Sequence, residues 1–340
     1  SQACRDQSRL IVGHTLLPAK LRLSGLDRLV MKPLGMQGLV AAVVTPMTDT
    51  GELNLGLVPQ IVDHLERNSI AGVYIAGSTG EGMSLTDEER MAVADAYLEH
   101  CRGRMQTVVQ VGHNSMKAAA TLADHAEASG ADAISATPTG YFQAEGEEGL
   151  VGLMAAIAEG APATPFYYYH IPALSGASMN PMRFTELAMK EIPTFCGIKY
   201  TDAGTSYNLP SLQKAGPGLE FLSGTDEAYL QSLAQGYEGA VGSTYNYAAP
   251  LYHLVRKAFE NGDFVEARLW QSRALEMLEA MLSTCGRASL KAMMAMVGID
   301  CGPARRPIEP ATAEQLSELR RRLEAMGWFE WINLQDTEVS

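Results

Sequence analysis

The sequence has few cysteines and no pattern that would pair them. Five are present, Cys4, Cys101, Cys196, Cys285 and Cys301, an odd number without a Cys-x-x-Cys motif or a cysteine–histidine cluster at zinc spacing. Neither a disulfide framework nor a structural zinc site is therefore indicated. Free thiols are typical of a reducing compartment, so the cysteine pattern predicts a cytoplasmic protein.

Long apolar runs and an excess of basic charge are also missing. No stretch approaches the roughly 18–20 unbroken apolar residues of a membrane span. The 26 basic and 39 acidic side chains give a formal net charge of −13, which disfavours nucleic acid and anionic membranes as partners because both are bound by basic faces. Since 46% of the residues are hydrophobic, the chain can form a large core. We expect a soluble globular protein that binds neither nucleic acid nor membrane.

The first 35 residues do not follow the pattern of the remainder. They carry scattered basic side chains and no apolar run of the signal-peptide type. We predict that residues 1–35 are an irregular leader outside the fold, with the functional protein beginning near Met31 or Met36. A transit peptide is the alternative.

From Gly38 onward, short β-rich runs alternate with segments of helical period. The predicted strands are 39–45, 73–76, 107–111, 133–136, 166–169, 194–199, 220–222 and 240–242. Eight strand–helix units predict an α/β fold, a (β/α)8 TIM barrel over residues 36–250, rather than an open doubly wound sheet. No Gly-x-Gly-x-x-Gly follows the first strand, which disfavours a dinucleotide-binding fold. Residues 251–328 are predicted to form a C-terminal helical extension packed on the barrel, and 329–340 a tail.

Lys199 is the most informative single residue. It ends the run Phe195-Cys-Gly-Ile, and alternation places it at a strand terminus facing into the barrel. An ordinary lysine, with a pKa of about 10.4, is neutral in only about one molecule in a thousand near pH 7.4. Burial disfavours the ammonium form and can produce an amine nucleophile that condenses with a ketone. A surface lysine just past the strand end is the alternative.

Two further strand ends carry groups suited to chemistry. Ser78 and Thr79 lie between glycines after the second strand, where hydroxyls and backbone N–H groups can cradle a carboxylate; Glu81 follows them, with a structural role expected. After the fifth strand, alternation places Tyr169 on the inner face, where a phenol can exchange protons. Packing against helices is the alternative for this tyrosine.

Asp226 and Glu227 follow the seventh strand. They can cap the next helix or bind substrate hydroxyls. Adjacent acids diverge from one another, so a glycosidase pair is disfavoured.

These motifs together resemble the pyruvate-dependent class I aldolase family that includes N-acetylneuraminate lyases and dihydrodipicolinate synthases. The resemblance covers roughly residues 38–310. Its most specific segments are Gly77-Ser-Thr-Gly-Glu, Tyr169-His-Ile-Pro-Ala-Leu-Ser-Gly, Gly197-Ile-Lys-Tyr-Thr and Gly242-Ser-Thr-Tyr-Asn. The family implies a TIM barrel with additional C-terminal helices, normally a homotetramer, and no metal or organic cofactor.

The resemblance also implies a role for individual residues. Lys199 would form the Schiff base with the keto carbon, Ser78 and Thr79 would hold the pyruvyl carboxylate, and Tyr169 would move the proton of the sugar hydroxyl. The positions that match contacts to the sugar are Thr201, Gly224, Asp226, Glu227 and Ser243. The implied small-molecule partners are sialic acid, pyruvate and N-acetylmannosamine.

Two positions refine this interpretation. Dihydrodipicolinate synthases typically carry an arginine where this chain has Leu174, and without a guanidinium a neutral sugar aldehyde is the better acceptor. The aromatic usual after the fourth-strand Thr-Pro is replaced by Gly140, and Tyr141 is the candidate substitute. The sequence therefore favours sialic acid cleavage, with another pyruvate-dependent aldolase or a non-catalytic ligand-binding barrel as alternatives.

Overall fold

A computed structural model describes residues 31–202 and 209–333 of the chain. Most of the predicted leader and the last residues of the predicted tail lie outside the described residues. The described strands form one closed, all-parallel barrel in chain order, with β1 pairing β8. The strands are β1 (Gly38–Ala42), β2 (Gly72–Ile75), β3 (Gln106–Gln110), β4 (Ala133–Ala136), β5 (Phe166–His170), β6 (Phe195–Tyr200), β7 (Glu220–Ser223) and β8 (Gly239–Gly242).

The barrel confirms the predicted fold class. Seven of the eight strands begin and end within one residue of the predicted limits. The exception is β1, which ends at Ala42 although the apolar run continues to Val44. Beyond it, the Thr45 hydroxyl donates to the Gly80 carbonyl (2.6 Å) and the Met47 N–H donates to the Cys301 carbonyl (3.0 Å), so the chain leaves the sheet to bind two loops.

Helices surround the barrel and extend beyond it. Their bounds are α1 (Val58–Arg67), α2 (Asp87–Cys101), α3 (Met116–Ala128), α4 (Gly146–Ala158), α5 (Pro172–Ser175), α6 (Pro181–Glu191), α7 (Leu209–Ala215), α8 (Tyr229–Gln235), α9 (Tyr245–Glu260), α10 (Phe264–Cys285), α11 (Ser289–Met296), α12 (Ala313–Met326) and α13 (Trp328–Trp331). Helix α2 begins with a capping box, in which Thr86 and Glu89 each bind the other's backbone N–H. None of the described helices has the length and apolar character needed to cross a bilayer.

Apolar side chains form two separate cores. One lies between the strands and the surrounding helices, and the smaller one fills the barrel itself with residues that include Val40, Tyr74, Tyr167 and Leu222. The alternation of side chains along each strand produces this division. The chemistry of the interior therefore depends on which residues of each strand point inward.

Residues 31–36 lie against the amino-terminal end of the barrel. The Leu34 N–H donates to the Tyr167 hydroxyl (2.9 Å), which donates to Glu220 (2.5 Å). Burial raises the pKa of Glu220 above its usual range. This end of the barrel is filled by side chains, so access to the interior is from the carboxyl ends of the strands.

Candidate active site

Lys199 faces the barrel interior because of an irregularity in β6. The β5–β6 register moves from Phe166↔Phe195 to Tyr167↔Gly197, which leaves Cys196 as an additional residue, as in a β-bulge. After it, Ile198 packs outward and Lys199 points inward, opposite Tyr169. A Cβ on Gly197 would lie 1.9 Å from the Glu220 carbonyl oxygen, so only glycine permits this close approach of β6 to β7.

The amine of Lys199 is enclosed by aromatic rings. The residue is 4% exposed, and its Nζ lies 3.9 Å from the ring centroid of Tyr169 and 4.1 Å from that of Tyr74. No carboxylate of residues 31–202 or 209–333 forms an ion pair with this amine. Tyr74 was not predicted as a site residue, because an inward-facing tyrosine in mid-strand looks in sequence like core packing.

The loop with Ser78 and Thr79 has an unusual backbone. The residues on either side of it, Ala76 and Glu81, have φ angles of 54° and 56°, which non-glycine residues rarely adopt. A Cβ on Gly82 would lie 2.0 Å from the Ala76 carbonyl oxygen, so the loop closes tightly on itself. Both Ser78 and Thr79, the residues expected from the sequence to cradle a carboxylate, line the cavity that contains Lys199.

Glu81 anchors this loop to the C-terminal part of the chain. Its Oε1 lies 2.8 Å from the Nζ of Lys291, and both side chains are only 4% exposed. Its Oε2 accepts from the Arg305 N–H (2.6 Å), and Lys291 also donates to the Pro303 carbonyl (2.8 Å). Sequence reasoning missed Lys291, because nothing near it in the chain indicates that it meets Glu81.

Thr201 and Gly224 come together directly above β6 and β7. The Thr201 hydroxyl is buried and has no hydrogen-bond partner among the described residues, although the residue lines the cavity. A Cβ on Gly224 would lie 1.9 Å from that hydroxyl oxygen. A buried hydroxyl without a partner is costly unless a ligand binds it, so this atom is suited to contact a substrate.

Asp226 lies at the side of the cavity, where β8 ends. Its Oδ2 accepts from the N–H and the hydroxyl of Thr244 (3.0 and 2.7 Å), so it binds the residue that precedes α9 and does not cap the helix that follows it in the chain. Burial, and then the charge of Glu227, raise the pKa of Asp226 to about 6, against the opposing effects of Thr244 and Lys199. A carboxyl group with a pKa near 6 can take up or release a proton close to neutrality.

Glu227 and Ser243 complete the predicted set in the same cavity, which has a volume of about 770 Å³. Leu174 lies at its rim, and the guanidinium-bearing Arg287, which sequence reasoning also missed, forms part of its wall. No group of three or more His, Cys, Asp or Glu side chains in the described parts of the chain is arranged to hold a metal ion.

Tyr141, discussed from the sequence, and His170, which lies within one of the quoted motifs, are outside this cluster. Tyr141 is 82% exposed, packs edge-to-face on Phe142 and does not line the cavity of its own chain. His170, the last residue of β5, is buried away from this cavity, and burial lowers its pKa to about 4. The imidazole of His170 is therefore neutral at physiological pH.

A closed barrel with polar side chains converging on a cavity at the carboxyl ends of its strands is the arrangement of TIM-barrel enzymes. The chain belongs to the dihydrodipicolinate synthetase family, whose sequence model matches residues 35–326.

Its relatives include N-acetylneuraminate lyases of vertebrates and bacteria. The Gallus gallus enzyme is 36% identical over 298 residues, which is 86% of this chain and 97% of that protein. The solved structure of the Proteus mirabilis N-acetylneuraminate lyase is 32% identical, has a TM-score of 0.83 and aligns with 86% of this chain and 98% of its own. A catalytic lysine mutant of the Ruminococcus gnavus sialic acid aldolase is 26% identical, has a TM-score of 0.81 and aligns with 87% of this chain and 98% of its own.

The ion pair between Glu81 and Lys291 yields a prediction about stability. The change Lys291→Met leaves the Glu81 carboxylate buried without its cation and should lower the free energy of unfolding by about 3–5 kcal/mol. The double change Glu81→Gln with Lys291→Met should recover much of that loss, because no charge is left unpaired. Urea denaturation measures both effects.

A surface ion pair is the matched control. Arg104→Met removes the partner of Glu66, whose side chain is 51% exposed, and should cost less than about 1 kcal/mol. Equal losses for Arg104→Met and Lys291→Met would contradict the proposed importance of the buried pair.

The raised pKa of Asp226 predicts a pH dependence of stability. Between about pH 4 and pH 6 the folded state holds a proton that the unfolded state has released, so stability should fall as the pH rises through this window. For a pKa shift of this size, the free energy of unfolding falls by about 3 kcal/mol in total. Asp226→Asn should remove this contribution to the slope of stability against pH. Thermal unfolding at several pH values measures that slope.

The exposed Asp124 on α3 provides the matched control for Asp226. Asp124→Asn should retain the wild-type slope. A wild-type slope in the Asp226→Asn variant would show that the carboxyl group is already ionised at pH 4.

Proposed function

We propose that this protein is a Schiff-base aldolase that reversibly cleaves N-acetylneuraminate to N-acetylmannosamine and pyruvate through Lys199. The observation that carries the proposal is the position of the Lys199 amine, which is buried at the carboxyl end of β6 in one cavity with Ser78, Thr79 and Tyr169. The names of the relatives support the same activity. The lysine that is mutated in the Ruminococcus gnavus enzyme is named as its catalytic lysine, which supports an amine mechanism.

The reaction begins at the amine. The neutral Nζ of Lys199 attacks the keto carbon of the open-chain sugar acid, and loss of water gives a protonated imine. Tyr169, having given its phenolic proton to the departing water, then takes the proton of the hydroxyl on the carbon that becomes the aldehyde, and the carbon–carbon bond breaks. Its electron pair moves to the imine nitrogen, which forms an enamine. Protonation of the enamine and hydrolysis release pyruvate and the free amine.

The electron sink in this scheme is the imine itself. The proposed reaction therefore needs no metal or organic cofactor, and acid–base help from a positioned tyrosine typically contributes ~10²–10⁴-fold. Tyr169 is well placed for this role, because its ring contacts the amine (3.9 Å) and the residue is only 3% exposed. In the synthetic direction the same groups act in reverse order.

The two ends of the cavity suit the two ends of the substrate. Ser78 and Thr79 would bind the carboxylate of the pyruvyl part through hydroxyls and loop N–H groups. The remaining polar groups would bind the sugar hydroxyls: Thr201, Asp226, Glu227 and Ser243, with Gly224 leaving room for the hydroxyl of Thr201. Leu174 at the rim offers no charge to a second carboxylate, which supports a neutral acceptor.

The proposal extends to assembly and location. The family resemblance supports a homotetramer, in which the exposed Tyr141 and Phe142 of each chain would be available to a neighbouring copy. Four cysteines in the described residues are buried free thiols, which supports a reducing, cytoplasmic environment.

A lyase assay combined with imine trapping tests the proposed function. We expect the purified protein to release pyruvate from N-acetylneuraminate, and borohydride with pyruvate to add covalent mass at Lys199. Lys199→Met should abolish both signals, because no other amine among residues 31–202 and 209–333 has the same surroundings. Peptide mapping distinguishes Lys199 from Lys291, the second lysine of the cavity.

The exposed Lys214 on α7 serves as the control. Lys214→Met should keep full activity and the full adduct. Pyruvate binding without turnover would instead support the non-catalytic barrel, and absence of any adduct at Lys199 in the wild-type protein would overturn the aldolase proposal.

A second candidate function is supported by Arg287. Arg287 lines the cavity, and a guanidinium is the kind of group that binds a carboxylate or phosphate on an acceptor aldehyde. The alternative enzyme is a pyruvate-dependent aldolase for such an anionic aldehyde.

Acceptor preference decides between these functions. We expect the wild-type protein to prefer N-acetylmannosamine over aldehydes that carry a carboxylate or phosphate, and Arg287→Ala to change its kcat/KM by less than about threefold, as for a solvent-exposed contact. The alternative enzyme would prefer the anionic aldehyde, and Arg287→Ala would lower that activity by at least about tenfold, the effect of a lost charged hydrogen bond. Synthesis rates with an aldehyde panel measure both.

A further inference from the structure

We propose that the ring of Tyr74 is a catalytic group of this enzyme, which stabilises the positive charge on the nitrogen of Lys199 through its π face. The proposal rests on the function proposed above, since it concerns the imine formed at that amine. Tyr74 lies on β2, far from Lys199 in sequence, and no motif of the sequence singles it out.

The contact is with the reacting atom itself. The Nζ of Lys199 lies 4.1 Å from the centroid of the Tyr74 ring and 3.9 Å from that of Tyr169. The two rings meet edge to face, with centroids 5.5 Å apart and an angle of 74° between their planes. A cation within about 6 Å of a ring centroid is attracted by the ring quadrupole, and most strongly where water is excluded. Both rings are therefore within the range of a cation–π interaction.

Tyr74 is held rigidly in this position. The residue is 1% exposed, and its hydroxyl donates to the Ser135 hydroxyl on β4 (2.9 Å). On its other side, a Cβ on Gly77 would lie 2.9 Å from two carbon atoms of the ring, so the carboxylate-binding loop folds directly against the ring edge. The ring thus contacts both the nucleophile and the loop that would hold the pyruvyl carboxylate.

The chemistry gives a π face an advantage over a carboxylate at this position. A carboxylate beside the amine would hold it in the ammonium form and would repel the carboxylate of the incoming pyruvyl group. A ring face stabilises the ammonium and the protonated imine but does not accept their proton. No described carboxylate is paired with the amine, so the two rings supply the close contacts to its charge.

The experiment weakens the π face without changing its shape. Tyr74→Phe first removes the hydroxyl and its bond to Ser135, and increasingly fluorinated phenylalanines at position 74 then withdraw electron density from the ring. We expect kcat to fall stepwise with fluorination, by roughly tenfold over the series. The pH at which borohydride trapping is half-maximal should fall in parallel, because a less stabilised ammonium releases its proton at lower pH.

Other charged groups could also affect such a pH profile. Tyr74 and Tyr169 contact the amine, and the other titratable or charged side chains of the cavity wall are Glu81, Asp202, Asp226, Glu227, Arg287 and Lys291. The fluorinated series leaves all of these unchanged, so a graded response reports the ring at position 74 alone.

Tyr168 provides a matched control. It is fully buried on the outer face of β5, where it packs on Phe184 with centroids 4.4 Å apart. The same substitutions at position 168 should change stability about as much as those at position 74. They should leave the pH midpoint of borohydride trapping unchanged.

The outcomes separate this inference from the function on which it rests. No adduct at Lys199 in the wild-type protein would overturn the aldolase proposal. A wild-type adduct with a flat fluorination series at position 74, or with equal slopes at positions 74 and 168, would overturn only the role of Tyr74. Circular dichroism of each variant confirms that its fold is retained.

Discussion

The burial of a single ammonium group inside a closed barrel is the constraint on which the rest of this site depends. Lys199 is 4% exposed, and moving a charge of this size out of water costs several kcal/mol unless other groups stabilise it. In this barrel two aromatic faces surround the charge. The bulge at Cys196 and the close approach at Gly197 then serve one purpose, since they turn Lys199 inward at the level of those rings.

The C-terminal segment is part of the site and not an appendage to it. Lys291 on α11 neutralises Glu81, and the Arg305 side chain binds both oxygens of Glu89 (2.6 and 2.8 Å) and the Gly51 carbonyl (2.8 Å). These bonds hold the loops that follow β1 and β2, and the first turn of α2, against the segment that contains Lys291 and Arg305. The left-handed backbone at Glu81 is strained, and a strained loop persists only when its surroundings determine its conformation. The Glu81–Lys291 ion pair and the contacts of Arg305 fix the conformation of this loop.

Local patterns in the sequence predict most of the fold but only part of the site. Alternation and helical period identify the strands and the strand-end position of Lys199, because these features depend on neighbours in the chain. The additional residue at Cys196, the ring of Tyr74 beneath the amine and the pairing of Lys291 with Glu81 depend on contacts between distant segments. An inward tyrosine and a helical lysine have ordinary structural explanations in sequence, so their roles become visible only when the barrel closes.

Two buried carboxyl groups border the cavity in opposite electrostatic surroundings. Glu81 binds a cation and a backbone N–H, so its charge is neutralised by the structure. Asp226 accepts hydrogen bonds from the neutral donors of Thr244 and lies near the charge of Glu227. Burial, together with that charge, raises its pKa to about 6, even though the charge of Lys199 opposes the rise. Loss of the positive charge at Lys199 would therefore raise the pKa of Asp226 further, and a protonated imine would lower it again. The charge at the proposed nucleophile and the protonation of the carboxyl group at the sugar end are thus linked, because both groups share one cavity of low polarity.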